Sequence, residues 1–196
     1  MRKEYAMNQY EILKKQLDLN PDFNERYQAL SSALQKEYQE FVGRLLEGNL
    51  ADEAWLSCSQ SLYDCDLINA SCKACYPISG QKTAFKVSIP GVEEVYAMCA
   101  FDAMCFLSLK DSEIICLDGT RITRENLQDV PLKVWVPNAK SGCCVASKSC
   151  SSIKFIAKDD VPCSGGVSYT LPEAFVLSVQ LFDYALDVIK AKISVS

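Results

Sequence analysis

The stretch Val95-Tyr-Ala-Met-Cys-Ala-Phe-Asp-Ala-Met-Cys-Phe-Leu-Ser-Leu109 decides the fold, because it is one of the two longest strongly apolar runs in the chain. Its Ala, Met, Leu and Phe content predicts a buried helix. The run is too short to span a membrane, and it contains a carboxyl group, Asp102. Cys99 and Asp102 are three residues apart, so on a helix they would lie on one face.

A thiol and a carboxyl group held side by side on a buried helix have a specific chemical use. Burial raises the pKa of a carboxyl group, and an adjacent thiolate raises it further. Asp102 would then be protonated near neutral pH, beside a thiol that is a natural ligand for soft metals. The spacing alone equally allows a structural role, in which Cys99 packs in the core and Asp102 caps a helix or forms an ion pair.

The region before this run is predicted to be helical from residue 1 to residue 68. Asn20 followed by Pro21 is a typical helix start, and Gly48 is a typical end. The helix between them has one apolar stripe at three- and four-residue intervals, formed by Phe23, Tyr27, Leu30, Leu34, Tyr38, Phe41 and Leu45. A shorter helix from about Ala51 to Leu62 is expected to follow and to lead into a cysteine-bearing loop.

Short strands and one more helix are expected after residue 75. Asp118-Gly119 is a hairpin turn signal, and Thr170-Leu-Pro-Glu173 has the form of a capping box that opens a final amphipathic helix running to about Lys190. The strands are predicted at Thr83–Ile89, Glu113–Leu117, Leu132–Val136 and Ser152–Ala157.

These elements together predict an α+β protein. A helical N-terminal third packs on a mostly antiparallel sheet with flanking helices. The predicted division is a helical N-terminal region with its cysteine-bearing loop at 1–74 and an α+β catalytic domain at 75–196.

Composition excludes several function classes. The net charge is −5 and the sequence pI is about 4.9, so a nucleic-acid partner has no electrostatic support. The first twenty residues lack the apolar core of a signal peptide, and a soluble cytoplasmic protein without a membrane partner is expected. The chain has no histidine, which removes Ser–His–Asp and Cys–His catalysis and histidine-ligated zinc hydrolases.

Eleven cysteines in 196 residues point to metal binding or thiol chemistry rather than to disulfides in an intracellular protein. Cys58, Cys65, Cys72 and Cys75 form one group, which ends in a C-x-x-C. Four thiols within eighteen residues suffice for a structural zinc ion or an iron–sulfur cluster. Their spacing matches no standard zinc motif, and small buried apolar side chains are the alternative.

Five segments, in order along the chain, resemble the organomercurial (alkylmercury) lyase family. Tyr96-Ala-Met-Cys-Ala-Phe-Asp102 is similar to that family's active-site pattern Tyr-Ala-x-Cys-Ala-x-Asp. The other four segments are Tyr76–Ile89, Ile115–Gly119, Cys150–Ala157 and Glu173–Phe175.

This resemblance covers roughly residues 75–190. Met98 departs from the family's tryptophan at that position, and Ser152 and Lys154 stand where the family has histidines.

The resemblance implies an alkylmercury-lyase-like core and cleavage of carbon–mercury bonds by protonolysis. Cys99 and Cys150 would hold mercury as thiolates, and Asp102 would protonate the carbon, giving a hydrocarbon. The Asp102 carboxylate would then help Cys99 and Cys150 to hold the Hg(II) product. Cys116 would be a core residue, as its family counterpart suggests. The reaction needs no cofactor, and external thiols or a mercury-accepting dithiol protein would remove the product.

Two other functions remain open at this point. One is a non-catalytic soft-metal or metalloid binder on the same scaffold, which the additional cysteines favour and which Asp102 does not require. The other is an interaction module stabilised by zinc or a cluster, whose N-terminal helices bind a partner.

Overall fold

A computed structural model describes residues 2–48, 52–92, 94–137, 153–161 and 166–194 of the chain. The N-terminal part contains five helices: α1 (Arg2–Leu17), α2 (Phe23–Gln28), α3 (Ser32–Leu46), α4 (Asp52–Leu56) and α5 (Gln60–Asp64). The amide of Gln16, near the end of α1, donates to the carbonyl of Val136 at 2.7 Å, and its oxygen accepts from Tyr169 at 3.2 Å. These bonds tie α1 to the strands of the second half of the chain.

The single helix predicted from Pro21 to Gly48 is wrong, because the chain forms two helices there. The first begins at Asp22, whose carboxylate accepts from the backbone of Glu25, while the Glu25 carboxylate accepts from the backbone of Asp22. This capping box outcompetes Asn20 as the start signal. Ser31 then caps α3 by accepting from Leu34, which starts a new helix after a short break.

The helix predicted from Ala51 to Leu62 is also divided. In the described part of this segment, α4 (Asp52–Leu56) ends at Leu56, and a separate helix, α5, starts at Gln60. The backbone and hydroxyl of Ser59 donate to the Glu37 carboxylate at 2.7 and 2.5 Å. Because a side chain of α3 satisfies this N–H, the helix does not continue through it.

A seven-stranded sheet follows, with strand order β1-β2-β3-β5-β4-β6-β7 and antiparallel pairing between all neighbours. The predicted hairpin at Asp118-Gly119 is confirmed, since Gly119 has a φ of 84° and Ile114 pairs with Ile122. The strands are β1 (Ile68–Asn69), β2 (Ala74–Cys75), β3 (Ile78–Ser79), β4 (Phe85–Ser88), β5 (Val95–Ala97), β6 (Glu113–Cys116) and β7 (Arg121–Ile122).

A second, three-stranded antiparallel sheet has the order β10-β8-β9. Its strands are β8 (Leu132–Pro137), β9 (Lys154–Ala157) and β10 (Gly166–Thr170), and β10 was not predicted. The observed architecture is therefore mixed helix and sheet with mostly antiparallel strands, as expected, but divided between two sheets.

The run Val95–Leu109 is not one helix, which corrects the prediction from its apolar content. Its first three residues form β5, which pairs with both β3 and β4. Helix α6 (Ala100–Cys105) begins after Cys99, and a short 3₁₀ turn, Phe106–Ser108, follows. Val95 and Tyr96 suit a strand, and strand pairing on both sides outweighs the helical preference of the residues around them.

The last helix is divided too. Thr170 and Glu173 form the predicted capping box at the start of α7 (Leu171–Leu181). The helix ends at Phe182, whose φ of −116° is not helical, and α8 (Asp183–Ile193) continues from there. None of the helices in the described ranges is long and apolar enough to cross a membrane.

One cluster of buried side chains extends from Tyr10 in α1 to Ile189 in α8. It contains Phe41 and Trp55 from the N-terminal helices together with Phe101 and Met104 from α6. The expected division of the chain at residues 74 and 75 stays a prediction.

Candidate functional site

Cys99 lies where β5 ends and α6 begins, and the backbone on both sides of it is held by distant parts of the chain. The Ala97 carbonyl accepts from the Thr83 hydroxyl at 2.7 Å. The Met98 N–H donates to the Pro77 carbonyl at 3.3 Å, and the Ala100 N–H donates to the Ile153 carbonyl at 3.2 Å. The position of Cys99 thus depends on three other segments.

The Cys99 thiol and Asp102 are brought together, as the spacing predicts, although not as two residues of one helix turn. Cys99 is the N-cap of α6, and its sulfur accepts from the Asp102 backbone N–H at 3.4 Å. Cys99 is 0% exposed and Asp102 is 2% exposed. The Asp102 N–H therefore points at the Cys99 sulfur, the atom that would bind a soft metal.

Cys150, the third predicted site residue, lies outside the described residues, as does Ser152. The described chain resumes at Ile153, whose carbonyl accepts from Ala100 at the start of α6. Lys154 lies next along β9, and its ammonium group is 5.8 Å from the centre of the Trp135 ring. Ile153 is buried, whereas the Lys154 side chain is exposed.

Two further cysteines of the described chain are Cys105, which contacts Asp102, and Cys116, which lies outside the candidate site in β6. Cys105, at the end of α6, is fully buried, and its thiol donates to the Asp102 carbonyl at 3.1 Å. Burial, and then the charge of Asp102, raise the pKa of Cys105 well above its usual value. Cys116, in β6, is half-buried against the core, and burial followed by the Asp118 charge raises its pKa to about 11. Both thiols are therefore protonated and poorly nucleophilic at neutral pH.

The group at Cys58, Cys65, Cys72 and Cys75 is not gathered into a metal site in the described geometry. Across the described ranges, no three Cys, His, Asp or Glu side chains are placed to hold one metal ion. The thiols of Cys58 and Cys65 donate to carbonyls of their own turns, at 3.6 and 3.5 Å. Burial raises the pKa of Cys75. A zinc ion at this group stays a prediction.

Two tyrosine hydroxyls meet at the carbonyl of Tyr76, the residue before Pro77, whose own carbonyl accepts from Met98. Tyr38 of α3 and Tyr184 of α8 both donate to the Tyr76 carbonyl, at 2.9 and 3.1 Å. Burial raises the pKa of Tyr184 most, and nearby charges that include Asp102 raise it further. The apolar stripe predicted that Tyr38 is a core residue, but no sequence signal indicated that its hydroxyl meets that of Tyr184.

No model of a known protein family matches the chain, and no curated protein matches it. The likeness to organomercurial lyases therefore depends on the five short segments alone.

Proposed function

We propose that the chain is an organomercurial lyase, which cleaves carbon–mercury bonds by protonolysis. The observation that carries the proposal is the contact between the Cys99 sulfur and the Asp102 backbone, with both residues almost completely buried. A sulfur ligand for mercury and the residue that supplies the carboxyl group are thus held together, away from water. A binding protein needs the thiolate but has no use for the acid.

The reaction conserves the oxidation state of mercury. The Cys99 thiolate displaces the external thiolate from R–Hg–SR′, and a second thiolate, Cys150, adds to the metal. The two sulfur ligands push electron density onto the bound carbon. The Hg–C bond then breaks, and its electron pair takes the proton of the Asp102 carboxyl group to form R–H. Hg(II) is left on two thiolates beside the Asp102 carboxylate, and an external dithiol removes it.

The course of the chain supports the assignment of Cys150 as the second thiolate. Ile153 is bonded to the start of α6 through Ala100. Cys150 precedes Ile153 by three residues, and three residues of chain span at most about 11 Å. The covalent chain therefore allows Cys150 to reach mercury bound at Cys99.

The test uses reduced protein, phenylmercuric acetate and excess thiol, with benzene measured in the headspace. We expect benzene from the wild type and a decrease of about 10²–10⁴-fold in Asp102→Asn, because the proton donor is lost while the shape of the side chain is kept. Asp102→Asn should still bind mercury with wild-type stoichiometry. Cys99→Ser should lose both binding at this site and cleavage.

Cys116→Ser is the matched control, since it removes a thiol outside the site and should leave the rate unchanged. Tight mercury binding by the wild type without benzene would replace the lyase proposal by a soft-metal or metalloid binder. A normal rate in Cys150→Ser would remove Cys150 from the mechanism. Metal analysis of the reduced, purified protein tests the zinc prediction separately.

A further inference from the structure

The Tyr76-Pro77 backbone connects two helices from opposite ends of the chain to the segment before Cys99. Tyr76 receives two hydroxyl hydrogen bonds at its carbonyl oxygen, from Tyr38 and Tyr184. The next carbonyl, that of Pro77, receives the N–H of Met98, directly before Cys99. A carbonyl oxygen has two lone pairs, so the Tyr76 oxygen is fully used by these donors.

Aromatic packing fixes the two hydroxyls in this arrangement. The ring centres of Tyr38 and Tyr184 are 5.6 Å apart, and Tyr27 lies against both, at 5.4 and 5.0 Å. Phe23 of α2 stacks on the Tyr76 ring at 5.2 Å. The N-terminal helices therefore contact both the ring and the carbonyl of Tyr76, the residue directly before Pro77, whose own carbonyl accepts from Met98.

We propose that Tyr38 and Tyr184 are positioning residues for Cys99, which they hold in place through the Tyr76-Pro77 backbone and its bond to Met98. The effect on catalysis rests on the proposed lyase function, whereas the effect on the Cys99 thiol does not. This assigns a role to the N-terminal helices: α3 supplies one of the two hydroxyls that fix the site.

The convergence of two donors on one acceptor predicts a non-additive result. Tyr38→Phe or Tyr184→Phe leaves the other hydroxyl on the Tyr76 carbonyl, so each should change kcat by less than about threefold. The double variant removes both donors and leaves that buried carbonyl without them. We expect its kcat to fall by about tenfold or more, beyond the product of the single effects, with little change in KM.

A second readout follows the Cys99 thiol itself and requires no lyase activity. Reduced protein is treated with methyl methanethiosulfonate below its unfolding temperature, and labelling of each cysteine peptide is measured over time by mass spectrometry. The double variant should label at Cys99 about tenfold faster than the wild type. Cys105, at the other end of the helix that Cys99 caps and equally buried, is the internal reference, because global unfolding would expose both thiols.

Tyr10→Phe combined with Tyr169→Phe is the matched control. Each substitution removes the hydroxyl of a buried tyrosine. The Tyr10 hydroxyl donates to Asp22 at 2.9 Å, and the Tyr169 hydroxyl donates to Gln16 at 3.2 Å. This variant should lose comparable stability without faster labelling at Cys99.

The proposal is overturned if the Tyr38→Phe/Tyr184→Phe variant labels Cys99 at the wild-type rate, if Cys99 and Cys105 accelerate together, or if the control variant behaves in the same way. A wild type that produces no benzene refutes the lyase function but leaves the labelling result to decide this inference.

Discussion

The contact between Gly80 and Trp55 gives the sharpest test of how the N-terminal helices pack on the sheet that carries Cys99. Gly80 follows β3, the neighbour of β5. A Cβ atom added to Gly80 would lie 2.0 Å from Cζ2 and 2.8 Å from Cη2 of Trp55. Trp55 is almost fully buried and packs edge-on against Phe41, with ring centres 4.8 Å apart.

Gly80→Ala should therefore destabilise the protein by overpacking. The indole must move by about 1.5 Å or more to regain an ordinary carbon–carbon separation, and the dense surroundings resist that movement. Overpacking costs about 1–3 kcal/mol, and the rigid, buried ring places this case near the upper end. For a chain of this size the unfolding temperature should fall by about 6–12 °C.

Gly43→Ala is the matched control with the opposite sign. Its Cβ would lie 3.3 Å from Cε and Nζ of Lys192, the end of a flexible side chain that can rotate away. Alanine is favoured over glycine inside a helix such as α3, so a gain of up to about 1 kcal/mol is expected.

Urea unfolding of the reduced proteins measures both changes, and a double-mutant cycle with Trp55→Leu identifies the cause. The cost of Gly80→Ala should largely vanish in the Trp55→Leu background. An unchanged stability in Gly80→Ala, or the same cost in both backgrounds, would refute the packing described here.

Two further predictions concern pH and helix capping. Burial raises the pKa of the Cys75 and Cys105 thiols above the ordinary value of 9.0, so the unfolded chain loses these protons first. The contribution of these two thiols should be constant below about pH 8 and fall above pH 9 by about 1.4 kcal/mol per pH unit for each thiol. Urea unfolding under reductant measures this, and a stability that stays flat from pH 8 to pH 10 would contradict it. Thr170→Ala removes the capping box of α7 and should lower the free energy of unfolding by about 1 kcal/mol. The control is Ser32→Ala, at an exposed position, which should change that free energy by less than about 0.5 kcal/mol. Equal losses in the two variants would exclude a stabilising cap at Thr170.

Local signals in the sequence were sufficient for much of the second half of the fold. Asp118-Gly119 predicted its hairpin and Thr170–Glu173 its helix start, because turns and caps are made by residues close together in the chain. The single helix predicted between Pro21 and Gly48 was wrong for a local reason. Ser31 is a cap inside the apolar stripe from Phe23 to Leu45, and the periodicity of the stripe concealed the break between α2 and α3.

The candidate site was predictable only in part, for a different physical reason. The spacing of Cys99 and Asp102 brings them together both in the predicted uninterrupted helix and in the observed structure. In the observed structure Cys99 is the N-cap, and an N-cap side chain faces the third helical residue. Val95 and Tyr96 suit a strand, but the helical preference of the residues around them concealed it, and pairing with two partner strands decides the outcome. The hydroxyls of Tyr38 and Tyr184 meet across 146 positions of sequence, for which no local pattern exists.

The change from strand to helix at Cys99 has a consequence for any activity of this site. In an uninterrupted helix, the backbone groups of Ala97 and Met98 would bond within the helix, and the position of the thiol would be a local property. Instead they bond to Thr83 and Pro77, while Ala100 bonds to Ile153. The geometry of Cys99 is therefore a property of the assembled fold, and substitutions distant in sequence should change its reactivity before they unfold the protein.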